Sequence, residues 1–81
     1  MTPIKDDAEL KRIITEKRRL GRLPQDPTLR AWAGNGTGEL CSLCESPIDK
    51  GEIEYEVEWQ RGLDTRLLRF HELCYRLWSN A

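Results

Sequence analysis

The three cysteines and the single histidine of this chain fall into two short clusters, Cys41-Ser-Leu-Cys44 and His71-Glu-Leu-Cys74. They form a complete set of four nitrogen and sulfur donors, as a tetrahedral structural zinc site of the Cys3His type requires. Two cysteines separated by two residues wrap a tight turn that directs both sulfurs at one ion. His71 and Cys74, three residues apart on a helix, project from the same face. They fall in its first turn, where the positive end of the helix favours a thiolate at Cys74. The expected ligands are therefore Cys41, Cys44, His71 and Cys74, and the expected cofactor is Zn2+.

Other chemistries fit the residues less well. A redox Cys-x-x-Cys belongs at a helix start in a longer alternating strand-helix fold, and would not need the second pair. A site filled by four protein donors has no open position for water or substrate. There is no second histidine to serve as a base, and Glu72 reads as a solvated residue near a helix start. No catalytic residue is assigned, and a non-enzyme is expected. The stretch Gly34-Asn-Gly-Thr-Gly38 lacks the Gly-Lys-Ser/Thr ending of a phosphate loop and follows no apolar strand, so it reads as linker.

Four elements must position the ligands. A helix is expected from about Asp7 to Leu20, with Asp6 as N-cap, Glu9 as its capping-box partner and Gly21 as C-terminal stop. Leu10, Ile13, Ile14 and Leu20 make its apolar face, interrupted by Lys17, whose stem can lie along that face. Gly21 to Leu40 reads as connector, since Pro24 and Pro27 forbid a continuous helix; a short turn is expected around Pro27 to Trp32. After the cysteine knuckle and a turn at Ser46 to Gly51, Glu52, Glu54, Glu56 and Glu58 alternate with Ile53, Tyr55, Val57 and Trp59. That period of two predicts a strand with one buried face and one acidic ladder facing water. Gln60 to Thr65 turns the chain and Arg66 to Phe70 returns as a second strand. A last helix runs from about His71 to Ser79, with His71, Cys74, Tyr75 and Trp78 on one inward stripe.

The expected fold is a small α+β zinc-bound domain: N-terminal helix, zinc knuckle, β-hairpin, C-terminal helix. Residues 1–40 form a basic amphipathic helix and Pro/Gly-rich connector, and residues 41–81 the zinc module. At 81 residues the chain is short enough that a metal commonly supplies stability its core lacks. The odd cysteine count argues against a disulfide framework and for a reducing compartment. No secretory leader or apolar span is visible, and a cytoplasmic protein is expected.

The order of knuckle, turn with Pro47-Ile48 and Lys50-Gly51, hairpin, then Phe70-His71-Glu-Leu-Cys74 followed by aromatics resembles treble-clef zinc fingers. Within that group residues 41–78 look most like the poly(ADP-ribose) polymerase-type finger, which has a Cys-Cys-His-Cys site and a long interval before its histidine. They are also similar to the first half of a LIM domain, where that interval is shorter. The resemblance implies the same four metal ligands. It implies DNA-break recognition through basic and apolar surfaces in the first case and protein binding in the second.

Charge bears on the partner. Net charge is -1, but residues 1–30 carry eight Lys or Arg against five Asp or Glu, and residues 31–81 carry five against nine. Lys11, Arg12, Arg18, Arg19 and Arg22 form a basic stripe that could track phosphates. The acidic strand would repel them, and the chain lacks an overall basic signature. Nucleic acid is the leading expected partner of this stripe. A zinc-stabilised protein-interaction adaptor, using Tyr55, Trp59 or Trp32, is the alternative. Neither a membrane nor a small-molecule substrate is expected.

Overall fold

In the computed structural model, which describes residues 6–26 and 29–81, Asp6 opens the first element. Its carboxylate accepts a hydrogen bond from the Glu9 amide at 2.8 Å, so helix α1 spans Asp7–Arg19. Such a cap is worth about 1 kcal/mol. The far end closes as a Schellman motif: the Arg22 amide donates to the Lys17 carbonyl at 2.8 Å and the Gly21 amide to that of Arg18 at 3.1 Å. Gly21 sits at φ +73, which a residue with a Cβ rarely adopts. This turn swings Leu20 outward, leaving it half exposed, and Leu23 takes its place in the core. The turn expected around Pro27 lies partly outside the described residues.

The connector contains an element that the sequence reading missed. Ala31–Asn35 forms strand β1, so the expected hairpin is an antiparallel sheet of three strands in the order β1-β2-β3. β2 is Ile53–Arg61 and β3 is Asp64–His71, joined by the two-residue turn Gly62-Leu63 in a tighter hairpin than expected. Alanine, glycine and asparagine have little strand preference of their own, and pairing with β2 makes this segment a strand. Helix α2 follows directly as Glu72–Ser79. Gly34–Gly38 is thus the end of a strand and its exit loop. Gly36 is needed there, because a Cβ would fall 1.9 Å from the Asp49 carbonyl oxygen.

One face of the sheet carries both helices. Val57, Leu68 and Phe70 pack with Trp78 of α2, with Leu10 and Ile14 of α1, with Leu43 inside the cysteine knuckle and with Ile48 of the loop after it. Residues from both 1–40 and 41–81 therefore share one core cluster. Phe70 and Trp78 stack with ring centroids 5.3 Å apart, and Tyr55 and Tyr75 at 4.3 Å. The connector is tied to this core by polar bonds. The Trp78 indole donates to the Pro24 carbonyl at 3.1 Å, and the same carbonyl accepts from Arg18 Nε at 3.1 Å.

The opposite face departs from the expected acidic ladder. Glu54 is buried, whereas Ile53 on the supposedly inward side is 48% exposed. Strict alternation fails here because the loop after β1 folds over this end of the sheet. Thr37 donates to Glu54 Oε1 through its hydroxyl at 2.9 Å, and Arg69 Nε lies 3.7 Å from Oε2. Arg69 stands opposite Glu56 in the register, yet its ion pair is with Glu54. A buried carboxylate needs such partners to stay charged. Among the described residues no helix is long and apolar enough to cross a membrane.

Candidate metal centre

The first half of the site is a knuckle. The Glu45 amide donates to the Cys41 carbonyl and the Cys41 amide to the Ser46 carbonyl, both at 2.9 Å. Leu40 and Pro47 close the loop with an antiparallel bridge. Glu45 holds the turn at φ +64, the left-handed region that glycine occupies without strain. The knuckle is seated on the outer edge of β3: the Ser42 amide donates to the Arg69 carbonyl at 2.6 Å, and the Arg69 amide to the Ser42 hydroxyl oxygen at 3.1 Å.

The second half is the junction of β3 and α2. His71 is the N-cap position of α2 but makes no capping bond with its side chain. Its ring is engaged elsewhere: Nδ1 lies 3.3 Å from Cys44 Sγ, and Nε2 lies 3.1 Å from the Pro47 carbonyl oxygen. An Nε2–H donated to that carbonyl leaves the Nδ1 lone pair directed at the sulfurs. This arrangement is how ligating histidines are usually oriented. Cys74 projects one turn into α2 and is buried, as is Cys41.

The four donor atoms all lie within 4.8 Å of one another. A tetrahedron built on zinc bonds of ~2.0–2.3 Å has edges of about 3.3–3.8 Å, so one ion would draw the most distant donors together by about 1 Å at most. The protonation chemistry agrees. Thiols of Cys41 and then Cys74 donate to Cys44 and hold it far below the ordinary thiol range. Cys74 is pushed well above that range, first by Cys41 and then by Cys44. Cys41 is also raised, chiefly through its bond with Cys44. One sulfur can ionise by sharing its neighbours' protons, but three can do so only when a cation replaces those protons. The cluster could thus hold a metal ion, and its donor set is that of structural zinc.

Sequence reasoning missed the residues that support the site. Lys17, expected only to lay its stem on the apolar face, donates from Nζ to the Ser42 carbonyl at 2.8 Å and lies 3.8 Å from the Glu45 carboxylate. The sequence signal was its position on the buried stripe of α1. Pro47, which fixes the imidazole through its carbonyl, leaves no signal in side-chain type.

The basic stripe is divided by the fold. Arg18 points inward, donating from Nε to the Pro24 carbonyl and from Nη2 to the Trp78 carbonyl at 3.1 Å. Arg19 is paired with Glu16. Lys11, Arg12 and Arg22 are exposed, and none of them makes an ion pair among the described residues. Comparison with known protein families, with curated proteins and with solved structures finds no match.

Proposed function

We propose that the chain is a non-enzymatic zinc-binding protein whose treble-clef-like module presents a rigid surface to another protein. Support for a structural role comes from the four converging protein donors, which leave no coordination position open for substrate. The observation that carries the interaction reading is the solvent side of the sheet. Trp32 and Leu67 are about half exposed there, 47% and 48%, with Glu56 and Glu58 in the strand between them. An apolar pair set among carboxylates suits a partner with apolar and cationic side chains, as protein interfaces commonly combine them.

Nucleic acid is the second reading, supported by the exposure of Lys11, Arg12 and Arg22 on or just after α1. Arg18 cannot serve both that purpose and its two internal bonds. One experiment separates the readings. A photo-crosslinker placed at Leu67 should capture a defined polypeptide, insensitive to nuclease and lost when Glu56 and Glu58 are replaced by Lys. A gel shift on DNA or RNA that is lost when Lys11, Arg12 and Arg22 become Glu, with no such capture, would refute the interaction reading.

A further inference from the structure

The two edges of the sheet are treated differently. The outer edge of β3 is covered by the knuckle at Arg69, through Ser42, and its exposed first half carries the charged residues Asp64 and Arg66. β1 is exposed along Trp32–Asn35 and contains none of the charged or proline residues that usually protect an edge. The ladder fixes which of its backbone groups are free. The Glu58 amide donates to the Arg30 carbonyl at 3.0 Å and the Gly36 amide to the Glu52 carbonyl at 2.9 Å. Even-numbered residues of this segment therefore face β2, and Ala31, Ala33 and Asn35 direct their amides and carbonyls outward.

We infer that β1 pairs with β1 of a second copy of this chain, antiparallel about a two-fold axis at Ala33, to make one continuous six-stranded sheet. The inference does not rest on the proposed function, but it takes Trp32 of that surface into the contact between copies and leaves Leu67, Glu56 and Glu58 outside it. Pairing about Ala33 sets Ala31 opposite Asn35 and Ala33 opposite its own copy. All three outward-facing residues of each strand thus meet outward-facing residues, giving about six inter-chain hydrogen bonds. A shift of one residue would set free groups against groups already bonded to β2.

The side chains complement one another in that register. On the solvent side Trp32 of each copy stands opposite Gly34 of the other. Gly34 has open space where a Cβ would lie, so the indole can cover a bare strand, a pairing that favours edge glycines. On the helix side the two Ala33 residues meet next to Tyr55, their Cα partner in β2. The charges also match. Arg30 of one copy arrives opposite Gly36 of the other, beside the exposed loop carrying Asp49, Lys50 and Glu52, which is net acidic. A symmetric contact uses this match twice.

Sedimentation equilibrium of the zinc-loaded chain over a range of micromolar concentrations tests the inference. The expected result is twice the 9.5 kDa chain mass, falling to the single mass on dilution. Ala33→Pro removes an outward amide without breaking the β1–β2 ladder. Ala33→Lys sets like charges face to face on the axis. At least one of the two variants should retain zinc and native circular dichroism while remaining monomeric where the parent is dimeric. A parent that stays monomeric at the highest concentration overturns the inference. So does a dimer unchanged in a folded variant, which would place the contact elsewhere.

Discussion

Replacing Arg18 by Met separates a folding role for this arginine from a phosphate-binding one. The side chain makes two hydrogen bonds to main-chain carbonyls, at Pro24 and Trp78, each at 3.1 Å. A hydrogen bond to a charged group is worth ~1.5–3 kcal/mol when its loss leaves a buried partner unsatisfied. Neither carbonyl would be left so. Pro24 keeps the Trp78 indole, and Trp78 keeps the Ala81 amide at 3.3 Å. Met also preserves most of the aliphatic stem. The loss should therefore fall below that range, at about 0.5–1 kcal/mol per bond and about 1–2 kcal/mol in total. For a chain of this size each kcal/mol moves the melting temperature by roughly 4–8 °C, so the variant should melt about 4–16 °C lower. Arg12→Met, on an exposed position, should stay within about 0.5 kcal/mol of the parent. Thermal and urea unfolding of the zinc-loaded proteins, followed by tryptophan fluorescence, gives both values. An Arg18 variant that unfolds like the parent but loses affinity for nucleic acid would refute the structural assignment.

Three further outcomes are expected. Stability of an 81-residue domain is of the order of 4–12 kcal/mol, and structural zinc in finger peptides contributes ~10–16 kcal/mol at neutral pH. Strong chelator should accordingly release one zinc per chain and unfold it, with loss of the buried Trp78 fluorescence; a metal-free chain that keeps native circular dichroism would dispose of the zinc reading. Acid should act in the same direction. The zinc-bound state holds its three sulfurs and one imidazole nitrogen unprotonated, whereas the unfolded chain binds protons there, so stability rises with pH up to the free thiol range and declines on acidification. A release midpoint that does not move with pH would contradict this. At the knuckle, Glu45→Gly should relieve about 1 kcal/mol of left-handed strain. The Lys17 ion pair it removes spans 3.8 Å to a carboxylate 76% exposed, and such pairs contribute ~0–1 kcal/mol. The urea midpoint should hold or rise; a fall would mean that the ion pair outweighs the strain.

The ligand set was legible because its information lies in residue type and spacing. Asp6, Gly21 and the inward stripe of α2 were legible for the same reason, and α1 and α2 appear within one residue of their expected bounds. β1 was not legible, because Ala-Trp-Ala-Gly-Asn has no period and becomes a strand only through β2. The buried state of Glu54 was not legible either. Period two assigns sides of a sheet, but which side is covered depends on a loop arriving from elsewhere, here the one carrying Thr37. The internal role of Arg18 likewise depends on acceptors at Pro24 and Trp78, one six residues away and the other sixty.

These misses share a cause that bears on how α1 works. Sequence patterning treats each face of a helix as one surface, yet the fold uses the residues one at a time. Lys17 reaches the knuckle carbonyl of Ser42, Arg18 ties the helix end to α2, and Leu10 and Ile14 enter the same core as Phe70 and Trp78. Each tie is modest alone, of order 1 kcal/mol for a hydrogen bond, but they converge on elements that also supply the metal ligands. Ordering the knuckle and the start of α2 around an ion therefore orders the acceptors that hold α1. The reverse also holds, since Lys17 and Arg18 stiffen the segments from which the donors project. With an ion bound, such shared ordering would make helix docking and metal binding a single cooperative event. Of the stripe, Arg18 is engaged in these ties and unavailable to a partner, whereas Lys11, Arg12 and Arg22, and Arg19 paired with Glu16 on its own helix, remain outside them.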